Sequence, residues 1–179
     1  GFGAAAAADV FFTVSGSIGS MGTADRGTAV VGGDMVVSGS LRSRELHFTT
    51  HAASPGGTST YYVRFNGDGA DTGVGALNKM VAPFEGRLKS LTYRSTSNSG
   101  NTDFKFHKNG PGNSNISPTA TDTVSRSGLS SNTNYHIVFN PAAMYDAAEI
   151  VGISFKPQNN PGDVVITAVW EFDTYIVPV

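Results

Sequence analysis

The sequence predicts an all-β protein: a jelly-roll-like two-sheet β-sandwich preceded by an extended, glycine-rich N-terminal arm. Three observations predict it. From Leu46 onward, about eight short runs of alternating apolar and polar residues recur, separated by turn signals at roughly 8–12-residue intervals. No stretch longer than one turn carries helical periodicity. The composition is poor in charge (15%) and modest in hydrophobic residues (39%), with Ser, Thr, Asn and Gly making up the balance. That balance suits sheets joined by neutral, polar loops. Eight strands in two sheets is the usual jelly-roll count. An immunoglobulin-like sandwich is the second choice, but its Cys…Trp…Cys core is impossible in a chain without cysteine.

The elements follow in order. Val10–Ile18 alternates Val10, Phe12 and Val14 with Phe11, Thr13 and Ser15, a strand with apolar residues on both faces. Thr28–Val31 and Asp34–Leu41 are short strands split by the turn dipeptide Gly32-Gly33. In Leu46–His51, Leu46, Phe48 and Thr50 alternate with His47, Thr49 and His51. Tyr61, Val63 and Phe65 share a phase, and Asn66-Gly-Asp-Gly69 ends that strand. Leu77–Ala82 is short and closes at Pro83; Gly86–Ser95 carries Leu91 and Tyr93 in one phase. Asp103–Lys108 points Phe104 and Phe106 inward and Lys105 and His107 outward. A weak strand is expected near Thr121–Ser125, and one helical turn at Pro141–Asp146 with Asn140 as its cap. Three strong strands close the chain, around Tyr135–Phe139, Val151–Phe155 and Val164–Asp173. The last is apolar on both phases in its first half and is expected at the centre of a sheet.

The 179 residues fit one domain plus an arm. Residues 1–41 hold nine of the 22 glycines and no proline, and no Phe, Tyr or Trp lies between Phe12 and Phe48. Such a stretch lacks the bulk to bury a core of its own. Residues 1–45 are therefore expected to anchor and trimerise, and residues 46–179 to form the sandwich. The expected self-association interface is Val10, Phe11, Phe12, Val14, Val36 and Val37.

Charge and motifs exclude several functions. A net charge of −2 with no clustered Lys and Arg argues against nucleic acid. No apolar run reaches the roughly 20 residues that span a bilayer as a helix, and Ala4–Ala8 is no signal peptide. The absence of cysteine removes thiol chemistry. His47 and His51 share a strand face but lack a third ligand, and they read, like His107 and His136, as polar surface residues. Asn66, Asp68 and Asp71 open like a calcium loop, but Leu77 stands where an EF-hand needs its last carboxylate. No nucleophile elbow and no identifiable carboxylate dyad occurs. The expectation is no catalytic residue, no cofactor and no metal. Trp170 and Tyr93 are expected in the core, while Tyr62 is left as a possible sugar-stacking side chain. Recognition, where it occurs, is assigned to the polar loops Ser95–Thr102 and Asn109–Ser131 through Asn98, Asn101, Asn113 and Asn115, whose amides both donate and accept.

Five segments carry a resemblance: Val14–Ser20, Arg26–Leu41, Lys79–Leu88, Phe106–Gly110 and Val151–Pro157. They resemble stretches in virion proteins of tailed bacteriophages, marine ones in particular. The resemblance implies a trimeric fibre, spike or capsid-decoration protein ending in a jelly-roll head, assembled in the host cytoplasm. Its partners would be other virion proteins and a host surface glycan or receptor, with no membrane insertion. The rival expectation from the residues is a secreted carbohydrate-binding module.

Overall fold

A computed structural model describes residues 41–65, 68–140 and 143–176. The expected strands Val10–Ile18 and Thr28–Val31, most of Asp34–Leu41, and all six expected interface residues lie outside the described residues. The described residues belong to one compact unit. Eight strands build its two sheets: β1 (Leu41–Ala53), β2 (Tyr61–Val63), β5 (Gly86–Ser95), β6 (Gly100–Asn109), β7 (Asp122–Leu129), β8 (Tyr135–Val138), β10 (Ile150–Pro157) and β11 (Val164–Ile176). Three short strands are added: β3 (Ala70–Asp71), β4 (Met80–Val81) and β9 (Met144–Tyr145). No helix occurs among the described residues.

The pairing is that of one long antiparallel ribbon rolled up. Among the eight, the first strand pairs with the last (β1 with β11), the second with the seventh (β2 with β10), the third with the sixth (β5 with β8) and the fourth with the fifth (β6 with β7). Rolling then lays β11 beside β5 and β10 beside β6. The first sheet therefore runs β1-β11-β5-β8 and the second β3-β2-β10-β6-β7. This is the jelly-roll order, and it takes the place of the immunoglobulin alternative. β11 sits in the middle of its sheet, as its two-phase apolar pattern required.

Between the sheets lies one core. Leu88, Leu91, Tyr93, Phe104, Phe106, Ile137, Ile153, Phe155 and Trp170 are all fully buried in it. Leu88 and Leu91 cannot both face inward on a regular strand. They do so because the register between β5 and β11 slips at Val169/Trp170, placing Leu91 opposite Ala168 but Leu88 opposite Trp170. An extra residue on one strand is the signature of a β-bulge. Gly86 is required where β5 begins: a Cβ there would stand 2.2 Å from the Glu171 carbonyl oxygen.

Three expectations are corrected. His51 is buried, not exposed, because β1 pairs with β11 so that His47, Thr49 and His51 stand opposite Trp170, Ala168 and Ile166, the inward phase of β11. The ring is satisfied there. Nδ1 donates to the Arg64 carbonyl (2.6 Å) and Nε2 accepts from the Thr49 hydroxyl (3.0 Å), which in turn accepts from Trp170 Nε1 (3.0 Å). His107 is also buried, for a reason given below. The expected helical turn is replaced: the Ala143 N–H donates to the Asn140 carbonyl, and the chain then enters β9, whose Tyr145 is fully buried. Pro141 lies outside the described residues.

Candidate recognition surface

At one end of the roll three loops interlock. The loop after β5 is tied to the loop before β11 through Thr96 N–H to Asp163 O (2.9 Å), Ser97 N–H to Pro161 O (2.9 Å) and Gln158 N–H to Ser99 O (3.1 Å). It is tied to the β7–β8 loop through Ser99 N–H to Leu129 O (3.0 Å) and Asn132 N–H to Ser95 O (2.7 Å). Beneath it runs a buried hydroxyl chain, with Tyr93 Oη 2.7 Å from Ser99 Oγ and Ser99 donating to Ser95 Oγ (2.9 Å). Burial raises the Tyr93 pKa, against the opposing pull of Ser99 and Ser95. Gly100 makes the tight turn possible: its φ is +65°, and a Cβ would meet the Asn159 amide nitrogen at 2.8 Å.

Asn98 and Asn101 sit on this end, both exposed. Asn98 Oδ1 accepts from Gly100 N–H (2.8 Å), and Asn101 Oδ1 accepts from Gly128 N–H (3.1 Å). Each amide carbonyl is spent on holding a turn, so the amide NH2 groups are what these residues offer a ligand. Exposed Asn132, Asn134, Gln158, Asn159 and Asn160 share the same end. None of these five stands among the expected recognition residues, because each lies in a short turn outside the two polar loops that the sequence singles out.

Asn113 and Asn115 are not on this end. They follow β6, a ten-residue strand, and at about 3.3 Å per residue they lie roughly 30 Å away. Their loop folds back over the outer face of the second sheet. Lys79 Nζ donates to the Ser114 carbonyl and to Asn115 Oδ1 (2.7 Å), and Asn109 Nδ2 donates to Asn115 O (3.0 Å). Ile116 is buried by this fold with Tyr62 and Ile150 in a small second core. His107 is buried beneath it: Nδ1 donates to the Ser117 carbonyl (3.0 Å), Nε2 accepts from Ser154 Oγ (2.8 Å), and the ring packs 5.3 Å from that of Tyr62. Burial lowers the His107 pKa, the carbonyls of Ser117 and Thr119 opposing. Tyr62 is thus packed away and supplies no exposed sugar-stacking ring. Of the four expected recognition residues, only exposed Asn113, with Nδ2 on the Gly110 carbonyl (3.2 Å), presents an open acceptor at this second end.

Of the acidic candidates, Asp71 is already engaged. Asp71 is gripped by the Arg64 guanidinium through Nε (3.1 Å) and Nη2 (2.6 Å), and Asn78 Nδ2 lies 3.4 Å away. The Arg64 hydrogen bond holds the Asp71 carboxyl below its ordinary range. Asn66 lies outside the described residues. Among the described residues no group of three His, Asp or Glu side chains is placed to hold a metal ion. An open pocket of about 500 Å3 lies between Ala53–Ser54, Asp68–Ala70 and Asp163–Val165, with Ser54 Oγ donating to Asp163 Oδ1 (2.5 Å). It presents two carboxylates and no aromatic ring.

No protein-family model matches this chain, and no curated protein matches it. Among solved structures, the chain is similar to a chain of the cryo-EM virus-like particle of extra small virus, from the giant freshwater prawn Macrobrachium rosenbergii. The two are 13% identical, over 92% of this chain and 96% of the other, with a TM-score of 0.34. At that score the likeness carries no argument; the jelly-roll order rests on the strand pairing itself.

Proposed function

We propose that this chain is a non-enzymatic structural protein of a bacteriophage virion, of trimeric fibre or spike type, with a jelly-roll head that meets a host surface glycan or receptor. The observation that carries the reading is the rolled strand order joined to a glycine-rich leader of a different character. A roll hosts many functions, so the surface has to decide among them. Here the loops at the amide-rich end are bound to one another by backbone hydrogen bonds rather than opened around a cleft. The two buried histidines are consumed in holding strands and a loop in place. In this reading Val10, Phe11, Phe12, Val14, Val36 and Val37 supply a shared interior for three copies. Recognition falls to the end bearing Asn98 and Asn101, where rigid loops present amide donors to sugar hydroxyls.

One observation favours a second reading, a capsid decoration or cement protein. The Asn113–Asn115 loop is pinned by Lys79 and suits a fixed contact with a neighbouring virion protein better than a variable receptor site. A secreted carbohydrate-binding module is the third reading; it needs no trimer.

Light scattering tests the assembly. Because β1 begins at Leu41, a shortened chain that keeps every strand of the described residues starts at Ser40. The full chain should have a mass that is a multiple of three copies, and the shortened chain one third of it. A full chain whose mass is no multiple of three overturns the trimer. Replacing Asn98 and Asn101 by Ala should then weaken adsorption to host cells with assembly intact. Unchanged adsorption moves the protein to the decoration reading.

A further inference from the structure

The two sheets have four edges, and three of them are short or irregular. β8 is four residues long and β3 two. β7 has eight residues, but its register with β6 slips between Gly100 and Thr102 and Gly128 adopts a φ of +67°. The fourth edge is different. β1 runs for 13 residues, Leu41–Ala53, in unbroken register with β11 from Leu41 opposite Ile176 to Ala53 opposite Val164. Among the described residues no strand lies on its other side. Half of its N–H and C=O groups face away from β11 and need partners. Its sequence has no proline, glycine or lysine. Those are the devices, with bulges and shortness, by which edges are kept from pairing with other chains. Its outward phase carries Leu46, 47% exposed, and exposed Thr50 about its centre, with Arg42 and Arg44 on the same phase toward its N-terminal end.

We propose that the free edge of β1 pairs antiparallel with β1 of a second copy of this chain, about a two-fold axis through Phe48. The strand is self-complementary in that register. Leu46 comes opposite Thr50, Phe48 opposite its own mate, Glu45 opposite His51, Arg44 opposite Ala52 and Arg42 opposite Ser54. No two arginines meet. A two-fold axis perpendicular to the sheet keeps each residue on its own face, so both cores stay on the same side of one continuous sheet. The contact lies in the β-domain and is separate from any threefold association through residues 1–40. It changes mass by a factor of two, whatever copy number that segment sets.

Two variants of the full chain test it by sedimentation velocity, each checked for an unchanged melting temperature. Leu46→Lys with Thr50→Lys sets like charges opposite each other across the two-fold. It should weaken the pairing by about tenfold or more and halve the mass. Leu46→Lys with Thr50→Glu sets opposite charges there and should keep the mass of the unmodified chain. Equal masses for all three proteins, or the same loss in both variants, overturns the proposal. Should either variant fail to fold, hydrogen exchange on the unmodified chain decides. β1 amides that gain protection with rising protein concentration support the pairing. Protection independent of concentration shows that the edge is filled within one chain or left to water, and overturns it.

Discussion

The two outer faces of the roll differ, although both belong to strands with alternating side chains. The outer face of the second sheet is covered by the chain itself. Ile116 and Tyr62 close over His107, Ser154 and Gly152, and Ile150, Gly152 and Ser154 on that phase of β10 are buried. The outer face of the first sheet has no such cover among the described residues. Leu46, Val138 and Val165 stand there 47%, 55% and 46% exposed. Near one end Glu171 is drawn under Arg87 (3.1 Å) and Lys89 (3.4 Å). Burial alone would raise the Glu171 pKa; the hydrogen bond and charge of Arg87, with Lys89, bring it below its ordinary value instead. Which phase of a strand is inside therefore depends on what lies over it. Polar His107 is inside and apolar Val165 is outside.

The sharpest way to break the contrast is through the shared core. Trp170 is fully buried and joined to Thr49. Trp170→Ala should cost about 3–5 kcal/mol in denaturant unfolding. A cost below about 1 kcal/mol would mean that the sheets do not close on this residue.

Next comes the cover on the second sheet. A Cβ at Gly152 would stand 2.7 Å from the Asn78 carbonyl oxygen and 2.8 Å from Ile116 Cδ1. Gly152→Ala should destabilise by about 1–3 kcal/mol and speed exchange in residues 110–121. Gly56→Ala, where a Cβ meets no atom within 4 Å, should leave both measurements unchanged.

Acid should separate the histidines from the rest by a smaller margin. Burial depresses the pKa of both His51 and His107 in the folded chain. The unfolded chain then binds more protons below the ordinary imidazole value of about 6.5. Stability from these rings is full above that pH, is lost as pH falls below it, and levels off beneath the folded pKa values. Denaturant midpoints at pH 7.5 and 5.5 should differ in the unmodified chain. The difference should shrink in the His51→Gln/His107→Gln double variant; an unshrunk difference would assign the acid sensitivity to carboxylates.

Smallest is the tether. Lys79→Met removes the charged bonds to Ser114 and Asn115 at a partly exposed site. It should cost no more than about 1 kcal/mol, yet raise hydrogen exchange across residues 110–121. Unchanged exchange would show that Ile116 alone holds the loop.

Much of the fold was legible before any coordinates. The limits of β5 were read as Gly86–Ser95, as the structure has them. Phe104, Phe106, Tyr93 and Trp170 were placed in the core from phase alone, and all are fully buried. β7 was seen only as a weak strand because it is an edge strand whose side chains are mostly exposed. The loops expected to carry recognition were legible as polar loops, but their positions were not. Asn98 and Asn113 fall in two loops given one expected role, whereas the ten residues of β6 between them hold those loops at opposite ends.

By itself the sequence determined the class of the fold. Alternation with a period of two, Gly and Pro punctuation and the lack of helical period leave an all-β domain as the outcome, because these are local backbone preferences. The division between a glycine-rich leader and a bulky β-domain is likewise a matter of composition. Only the tertiary structure decided which strand lies beside which, and from that the rest follows. Register against β11 turned His51 inward, a bulge let Leu88 and Leu91 share one face, and a returning loop buried His107 and Tyr62. Those outcomes depend on contacts between residues far apart in the chain, which no local pattern encodes.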